Sequence, residues 1–307
     1  MLGRTQSSIW QLFIALSVPR RGVSEANTMS APTRTKHLRL PFLGILAEKL
    51  YYRGFADGDL TVQQVSGIAI MASSTTTHPA FVELFRNMFQ KFGPVYVYPI
   101  RDTTGLYKWK VAARLDKSFE FLLPDRSLQE TTGGYSEAEF LSWIAGLIDS
   151  DGTINMSNSG SYIKLTISIH NNDKKLLLEA FNWLSQHEYN PSGPYRTLTK
   201  GKKTSLRQIR YKKDMWRIMV QGMGSAQRLL ASLPLRHAEK VERKTLALNV
   251  RPGMKWRDVR TEILSLRRKI RRETRGFIQL ASVSYKKKHR GKVLTSPSPV
   301  LNPRRTN

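Results

Sequence analysis

Residues 143–154 read WIAGLIDSDGTI, and residues 51–62 read YYRGFADGDLTV. When one stretch is laid on the other, a glycine, two acids and a threonine coincide: Gly54 on Gly146, Asp57 on Asp149, Asp59 on Asp151 and Thr61 on Thr153. The same acidic segment, called the corner below, therefore occurs twice, 92 residues apart. A repeat of this kind predicts a duplicated structural unit, because a chance turn would not carry its neighbours with it.

The segments after the two corners also correspond. Each predicts an extended stretch, a helix closed by Gly-Pro and a strand, with alternating apolar residues over 163–169 marking a strand of the second copy. Residues 107–115 and 205–213 predict one further strand in each copy, and residues 118–124 and 226–234 predict a short helix ending in Leu-Pro. The fold class expected is α+β, with two pseudo-symmetric αββαββα repeats whose strands pair locally as hairpins.

The predicted boundaries follow from composition. The repeats span 39–124 and 136–250, and the polar, glycine-bearing residues 125–135 form a linker. Ser136 and Glu139 have the spacing of a capping box, which predicts a helix from 137 to about 149, ended by Gly152 in a left-handed conformation. Residues 251–307 predict a basic amphipathic helix and, from Tyr285 onward, a disordered tail. Residues 1–38 are expected to be a flexible leader, either a targeting peptide or sequence upstream of a start at Met29.

The charge of the chain points to a polyanionic partner. The net charge is +27, and residues 251–307 alone carry 17 Lys and Arg against 3 Asp and Glu. Nucleic acid fits this excess, and an anionic membrane surface is the alternative. The chain has no cysteine, which excludes disulfides, thiolate metal sites and cysteine nucleophiles. No apolar run approaches the roughly 20 residues that span a bilayer, so no membrane helix is predicted.

The repeated corner predicts a metal site. Small residues inside both corner helices allow the helices to approach closely about a pseudo-two-fold axis, which brings Asp59 and Asp151 together. Two bare carboxylates at this distance would repel one another, and one would be protonated. A divalent cation removes this conflict and provides what phosphodiester hydrolysis requires. A lone Asp-x-Asp-Gly turn is more often structural, and the duplication is what favours the site.

The motif pair carries a family resemblance. IAGLIDSDG at 144–152 resembles the LAGLIDADG motif of homing endonucleases, and YRGFADGDL at 52–60 resembles the degenerate first motif of their single-chain, two-repeat members. The resemblance covers roughly residues 39–250. It implies a monomer whose two motif helices pack together, with a β-saddle lying over the DNA major groove. It also implies that the last acids of the motifs, Asp59 and Asp151, are catalytic and bind Mg²⁺ or Mn²⁺, whereas Asp57 and Asp149 are structural.

Other site residues are implied less directly. The family uses a polar residue after the first strand pair and a lysine near each active site, for which the nearest matches are Asn171, Thr75 and Lys117. Polar strand residues are candidates for DNA binding, although a solvated sheet face is the equally simple alternative: Lys108, Lys110, Lys164, Ser168, Arg207, Gln208, Arg210 and Lys212.

The expected function is a site-specific, intron-encoded double-strand DNA endonuclease. The alternative is a DNA- or RNA-binding protein on the same fold, such as an intron RNA maturase that does not cut. An intracellular protein is expected, in the cytoplasm or nucleoid or in an organelle matrix.

Overall fold

The computed structural model of the chain describes residues 38–124, 134–160, 162–202, 212–251 and 253–289. Two units of the same design follow one another along these residues. The first unit has the order α1 (Leu46–Asp59), β1 (Thr61–Ser66), β2 (Ala69–Thr76), α2 (Pro79–Phe89), β3 (Val95–Arg101), β4 (Tyr107–Asp116) and a 3-10 helix (Lys117–Leu122). The second unit has the order α3 (Glu137–Asp151), β5 (Gly152–Ser159), β6 (Tyr162–Asn171), α4 (Lys174–Gln186), β7 (Pro191–Leu198), β8 (Met215–Gln221) and α5 (Met223–Ser232).

Each unit forms one antiparallel four-stranded sheet. The strand orders are β1-β2-β4-β3 and β5-β6-β8-β7, so equivalent strands take equivalent places. The predicted α+β fold with two pseudo-symmetric repeats is therefore confirmed. The last helix of the first repeat differs, because it is a single 3-10 segment.

One face of each sheet is apolar and packs on helices. In the first sheet Trp109, Val111 and Ala113 alternate with residues of the opposite face, and in the second Leu165, Ile167 and Ile169 do the same. These side chains belong to one continuous hydrophobic core that also includes α1 and α3. The other face of each sheet is left polar, and it carries four of the candidate DNA-binding residues: Lys108, Lys110, Lys164 and Ser168.

The two corner helices pack directly on each other. A Cβ atom added to Gly54 would overlap the carbonyl oxygen of Trp143, and one added to Gly146 would lie 2.6 Å from the backbone nitrogen of Phe55. Both glycines are thus required at the crossing, because no larger residue leaves the backbones in contact. The predicted capping box at the start of α3 is also confirmed, since Ser136 N donates to Glu139 Oε2 at 2.9 Å and Glu139 N donates to Ser136 Oγ.

Three sequence-based expectations differ from the structure. Gly152 is not left-handed but extended (φ −84°), and a side chain there would meet Ile148 Cα at 2.5 Å. The fourth strand of the second sheet is Met215–Gln221, so the strand predicted over 205–213 is wrong for 212 and 213, and 205–211 lie outside the described residues. Tyr285 lies within a helix that continues to His289, so the disordered tail does not begin there.

Two helices follow the second repeat: α6 (Ala238–Leu248) and α7 (Trp256–His289). Helix α7 reaches the first repeat, where Tyr285 meets the ring of Tyr107 with centroids 5.6 Å apart. This contact favours the continuation of the helix through a basic segment. The lysines of its last turn also interact favourably with the negative end of the helix dipole. Among the described residues, no helix combines the length and the apolar character needed to cross a bilayer. The leader before residue 38, the linker over 125–133 and the tail after 289 lie outside the described residues.

Candidate metal centre and nucleic-acid interface

Asp59 and Asp151 end the two packed helices and meet there. Each is the last helical residue before the first strand of its repeat, and their carboxyl groups are hydrogen-bonded to each other. Burial raises the pKa of Asp151 to about 7, and the neighbouring Asp59 carboxylate adds to this rise. Burial also raises the pKa of Asp59, although this side chain keeps more contact with solvent than Asp151 does. The pair therefore shares a proton in the absence of a cation.

The other acid of each motif has a different environment. Asp149 is fully buried and accepts hydrogen bonds from the Tyr51 hydroxyl at 2.6 Å and from the backbone nitrogens of Arg236 and His237. Asp57 accepts a hydrogen bond from Trp143 Nε1 at 3.1 Å and forms an ion pair with Arg53 at 2.8 Å. Tyr51 and Trp143 occupy the same position in the two motifs, so each first acid crosses to the aromatic ring of the other helix. Asp57 and Asp149 thus hold the helix pair together.

Asn171 joins the two halves of the centre. Its side-chain nitrogen donates to Asp151 Oδ2 at 3.3 Å and to the carbonyl oxygen of Asp57 at 3.0 Å. Its side-chain oxygen accepts from Asp173 N at 2.8 Å, two residues further along the chain. In the first repeat, Thr76 Oγ1 accepts from His78 N, also two residues further along. Thr76, rather than Thr75, therefore occupies the place equivalent to Asn171.

Lys240 of α6 is a site residue that the sequence did not indicate. Its ammonium group is buried and donates to the carbonyl oxygens of Ile148 and Ser150, at the end of α3. Burial lowers the pKa of Lys240 to about 8, against the opposing effect of Asp149, Asp59 and Asp151. A positive charge thus stands beside both paired acids. The only local signal is that Lys240 is the first lysine after the Leu-Pro that closes the second repeat.

Lys117 and Thr75 lie elsewhere. Lys117 follows Asp116, which pairs with Ala69 at the tip of the β1–β2 hairpin. Thr61, two residues after Asp59, pairs instead with Ser73 at the other end of β2. Ala69 and Ser73 are four residues apart along β2, so Lys117 lies about 13 Å from the level of Asp59, at 3.3 Å per residue. Thr75 is exposed on the polar face of the first sheet, opposite Lys110.

The predicted DNA-binding residues divide into three groups. Lys108 and Lys110 lie on the polar face of the first sheet, where Lys108 forms an ion pair with Asp102 at 2.9 Å. Lys164 and Ser168 lie on the polar face of the second sheet, with Ser168 buried and bonded to Thr153 Oγ1 at 2.7 Å. Lys212 is exposed before β8, and Arg207, Gln208 and Arg210 lie outside the described residues. Arg217 and Gln221 of β8 also lie on the polar face of the second sheet, where they pair with His170 and Thr166 of β6.

The donor set fits a hard divalent cation that keeps water or phosphate ligands. Among the described residues, no group of three or more His, Asp or Glu side chains is arranged to hold a metal ion. Two carboxylates that share a proton are nevertheless suited to Mg²⁺ or Mn²⁺, because Mg²⁺ is usually held by one or two carboxylates together with substrate oxygens. The protein would therefore supply Asp59 and Asp151, and the remaining ligands would come from water and substrate.

Comparison with known proteins gives structural likeness only. No protein-family model matches the chain, and no curated protein matches it. The fold is similar to that of I-SmaMI bound to an uncleaved DNA target with calcium ions, at a TM-score of 0.36 and 11% identity over 75% of this chain and 97% of that chain. It is also similar to the LAGLIDADG meganuclease I-CpaMI bound to uncleaved DNA (TM-score 0.37, 12% identity, 75% and 98% covered) and to the homing endonuclease I-WcaI bound to its DNA recognition sequence (0.39, 13%, 60% and 80%). These similarities are too low to assign a function, which must be inferred from the contacts of this chain.

Proposed function

We propose that the chain is a metal-dependent, site-specific double-strand DNA endonuclease of the single-chain LAGLIDADG homing type. The observation that carries the proposal is the hydrogen-bonded pair Asp59 and Asp151 at the junction of two repeats, beside a buried lysine. A fold gains nothing from placing two like charges side by side, and the Asp59 carboxylate raises the pKa of Asp151. Such a pair is better explained as a cation site than as part of the packing.

The surroundings of the pair favour a phosphodiester as substrate. The polar sheet faces beside the centre carry Lys110, Lys164 and Arg217, and the net charge of the chain is +27. A cationic surface concentrates a polyanion, and a pseudo-two-fold arrangement matches the two antiparallel strands of a duplex. Arg and Gln on a sheet face are residue types that read guanine and adenine in the major groove.

The roles of the residues follow from their contacts. A divalent cation held by Asp59 and Asp151 would supply Lewis-acid polarisation of the phosphoryl oxygen and an activated water. Asn171 fixes the orientation of the Asp151 carboxylate, and Lys240 offsets the negative charge of the centre. On each strand, hydrolysis joins the oxygen of water to phosphorus and breaks the bond to the deoxyribose oxygen, which takes up a proton. Asp57 and Asp149 have no part in this reaction.

The experiment begins with a duplex chosen by the protein itself. Purified protein binds a randomised duplex library in EDTA, the bound sequences are cloned into a plasmid, and Mg²⁺ or Mn²⁺ is added. We expect linear plasmid from the wild type and a loss of rate on the order of a hundredfold or more for Asp151→Asn and Asp59→Asn, because several kcal/mol of charge stabilisation is removed. Glu83→Gln on the exposed side of α2 makes the same charge change and should cut normally.

Two outcomes would overturn the proposal. Cutting that persists in both Asp→Asn variants would show that the pair is not the cation site. Binding of the selected duplex without cutting in either metal would favour the alternative of a non-cleaving binding protein. Tighter binding to structured intron RNA, together with rescue of its splicing, would identify that protein as a maturase.

A further inference from the structure

A basic groove lies beside the metal centre, between the second sheet and the two C-terminal helices. Its volume is about 810 Å³, and its floor is the polar face of β5, β6 and β8. Six of the residues that line it are Lys or Arg and only Glu239 is acidic; the six are Lys164, Arg217, Lys240, Arg243, Arg267 and Arg271. Glu239 is already engaged by His78 and Arg243, at 2.7 Å each. The groove therefore has a strong excess of positive charge.

Helix α7, which forms the outer wall of this groove, belongs to neither repeat but is anchored to both. Three turns into the helix, Arg267 donates to Asn155 Oδ1 at 2.9 Å and to the carbonyl oxygen of Met156 at 3.0 Å, along the edge strand β5. Further on, Phe277 stacks on Trp109 of the first sheet with ring centroids 5.2 Å apart, and Trp109 Nε1 donates to the carbonyl oxygen of Phe277 at 3.0 Å. The helix segment between these anchors is held in place.

Arg271 lies on this fixed segment. It is exposed, it lines the groove, and it is one turn beyond Arg267 on the same helix face. The adjacent Arg272 is equally exposed but does not line the groove. A cation on a rigid element loses little freedom when it binds a ligand, so Arg271 is prepared for an anion.

The lining excludes an apolar small molecule and favours a nucleic-acid backbone. Only Ile154, Met219 and Ile270 contribute large apolar side chains, whereas small-molecule pockets are mostly apolar. The floor presents hydrogen-bonding side chains and the wall presents guanidinium groups, which is the division between base reading and phosphate contact in DNA-binding proteins. Gly152, which follows Asp151, lines the groove, as does Lys240, which contacts Ser150 O, so the groove lies beside the paired acids.

We propose that α7 is a DNA-binding element in its own right, in which Arg271 binds a backbone phosphate of a duplex whose base edges lie on the second sheet. This rests on the proposed function, because the same duplex has to reach Asp59 and Asp151. The contact makes the two half-sites unequal, since the groove is formed against the second sheet.

The test measures affinity and does not require cutting. Wild type, Arg271→Ala and Arg272→Ala bind the selected duplex in EDTA, with fluorescence anisotropy recorded at several salt concentrations. One phosphate contact contributes about 0.9 to the slope of log affinity against log salt, so between 50 and 200 mM salt the Arg271→Ala affinity should fall about 3 to 4 times less than that of the wild type. Arg272→Ala has the same net charge and should keep the wild-type slope, as should Arg271→Lys.

Each other result has a definite meaning. If Arg271→Ala and Arg272→Ala change the slope equally, or neither changes it, the proposal for α7 is wrong while DNA binding stands. If the wild type binds no duplex, the proposed function is wrong as well. If the slope changes only with single-stranded RNA of the same length, the groove binds RNA and the duplex assignment fails. Thermal melting of all variants checks that α7 remains folded.

Discussion

Alanine at position 146 should separate the two corner helices. The added methyl group would overlap the carbonyl oxygen of Tyr51 and would lie 2.6 Å from Phe55 N and 3.0 Å from the carbonyl carbon of Gly54. All three atoms belong to the backbone of α1, so no side-chain rotation can relieve the contact. Helices α1 and α3 have to move apart, and Asp59 and Asp151 at their ends move with them.

The size of the effect can be worked out from two opposing terms. Replacing glycine by alanine in a helix interior gains about 1 kcal/mol. Overpacking a core costs about 1 to 3 kcal/mol, occasionally more, and a contact with backbone alone lies at the upper end. The net loss for Gly146→Ala is therefore about 2 kcal/mol, which lowers the melting temperature by about 4 to 8 °C for a domain of this size.

Gly224→Ala is the matched control. Gly224 lies in α5 without a positive φ, and a Cβ atom there meets nothing within 4 Å, so this variant should be neutral or stabilised by up to about 1 kcal/mol. Urea unfolding followed by circular dichroism compares the two variants, and plasmid cutting follows the displacement of the acids. Equal stability of the two variants would refute the backbone contact between the helices, and normal cutting by Gly146→Ala would refute its link to the metal centre.

Three further predictions concern individual side chains of the centre. In metal-free protein the pKa of Asp151 is raised from 3.8 to about 7, so the folded state binds more protons than the unfolded state and the free energy of unfolding should fall as pH rises from about 4 to 7. Burial also raises the pKa values of Asp57, Asp59 and Asp149, so urea titrations should show a smaller fall in Asp151→Asn than in the wild type, and an equal fall would contradict the raised pKa of Asp151. Tyr51→Phe removes the 2.6 Å hydrogen bond to buried Asp149 and should lower the free energy of unfolding, measured by urea titration, by about 1.5 to 3 kcal/mol. A loss under about 0.5 kcal/mol would contradict the role of that bond. Because Asn171 donates to Asp151 while Thr76 only accepts from His78, the two strands should be cut at unequal rates; a nicked plasmid should accumulate with the wild type and less with Thr76→Asn, and equal strand rates in the wild type would argue against this asymmetry.

The duplicated corner made the fold predictable from the sequence. Glycines at 54 and 146 mark a close helix crossing, the Ser136 and Glu139 pair marks the start of α3, and alternating apolar residues mark the strands. All of these signals are local, and apart from the capping box, which α1 lacks, they occur in both copies in the same order. Local agreement repeated in two copies is strong evidence of one architecture.

The features that escaped the sequence depend on tertiary packing. Strand β8 follows the basic stretch 205–213 that the sequence predicts as a strand, and its register with β6, where His170 pairs with Arg217, distinguishes it. Lys240 reaches the metal centre because α6 lies against the end of α3, which no local pattern of α6 requires. The sequence predicts a left-handed Gly152, yet its backbone is extended and the glycine is needed for the close approach of Ile148. A glycine at a helix end has two physical explanations, and sequence alone does not separate them.

The spacing of the two acids in each motif explains why they have different roles. Asp149 and Asp151 are both helical, and residues two apart on an α-helix point about 200° away from each other. Asp149 faces Tyr51 on α1, whereas Asp151 is the last residue of α3 and meets Asp59 at the end of α1. The first repeat repeats this geometry with Trp143 in the place of Tyr51. Moving an acid by one residue would satisfy neither contact, so the Asp-x-Asp spacing is set by helix geometry: one acid holds the helices together so that the other can be placed at their common end.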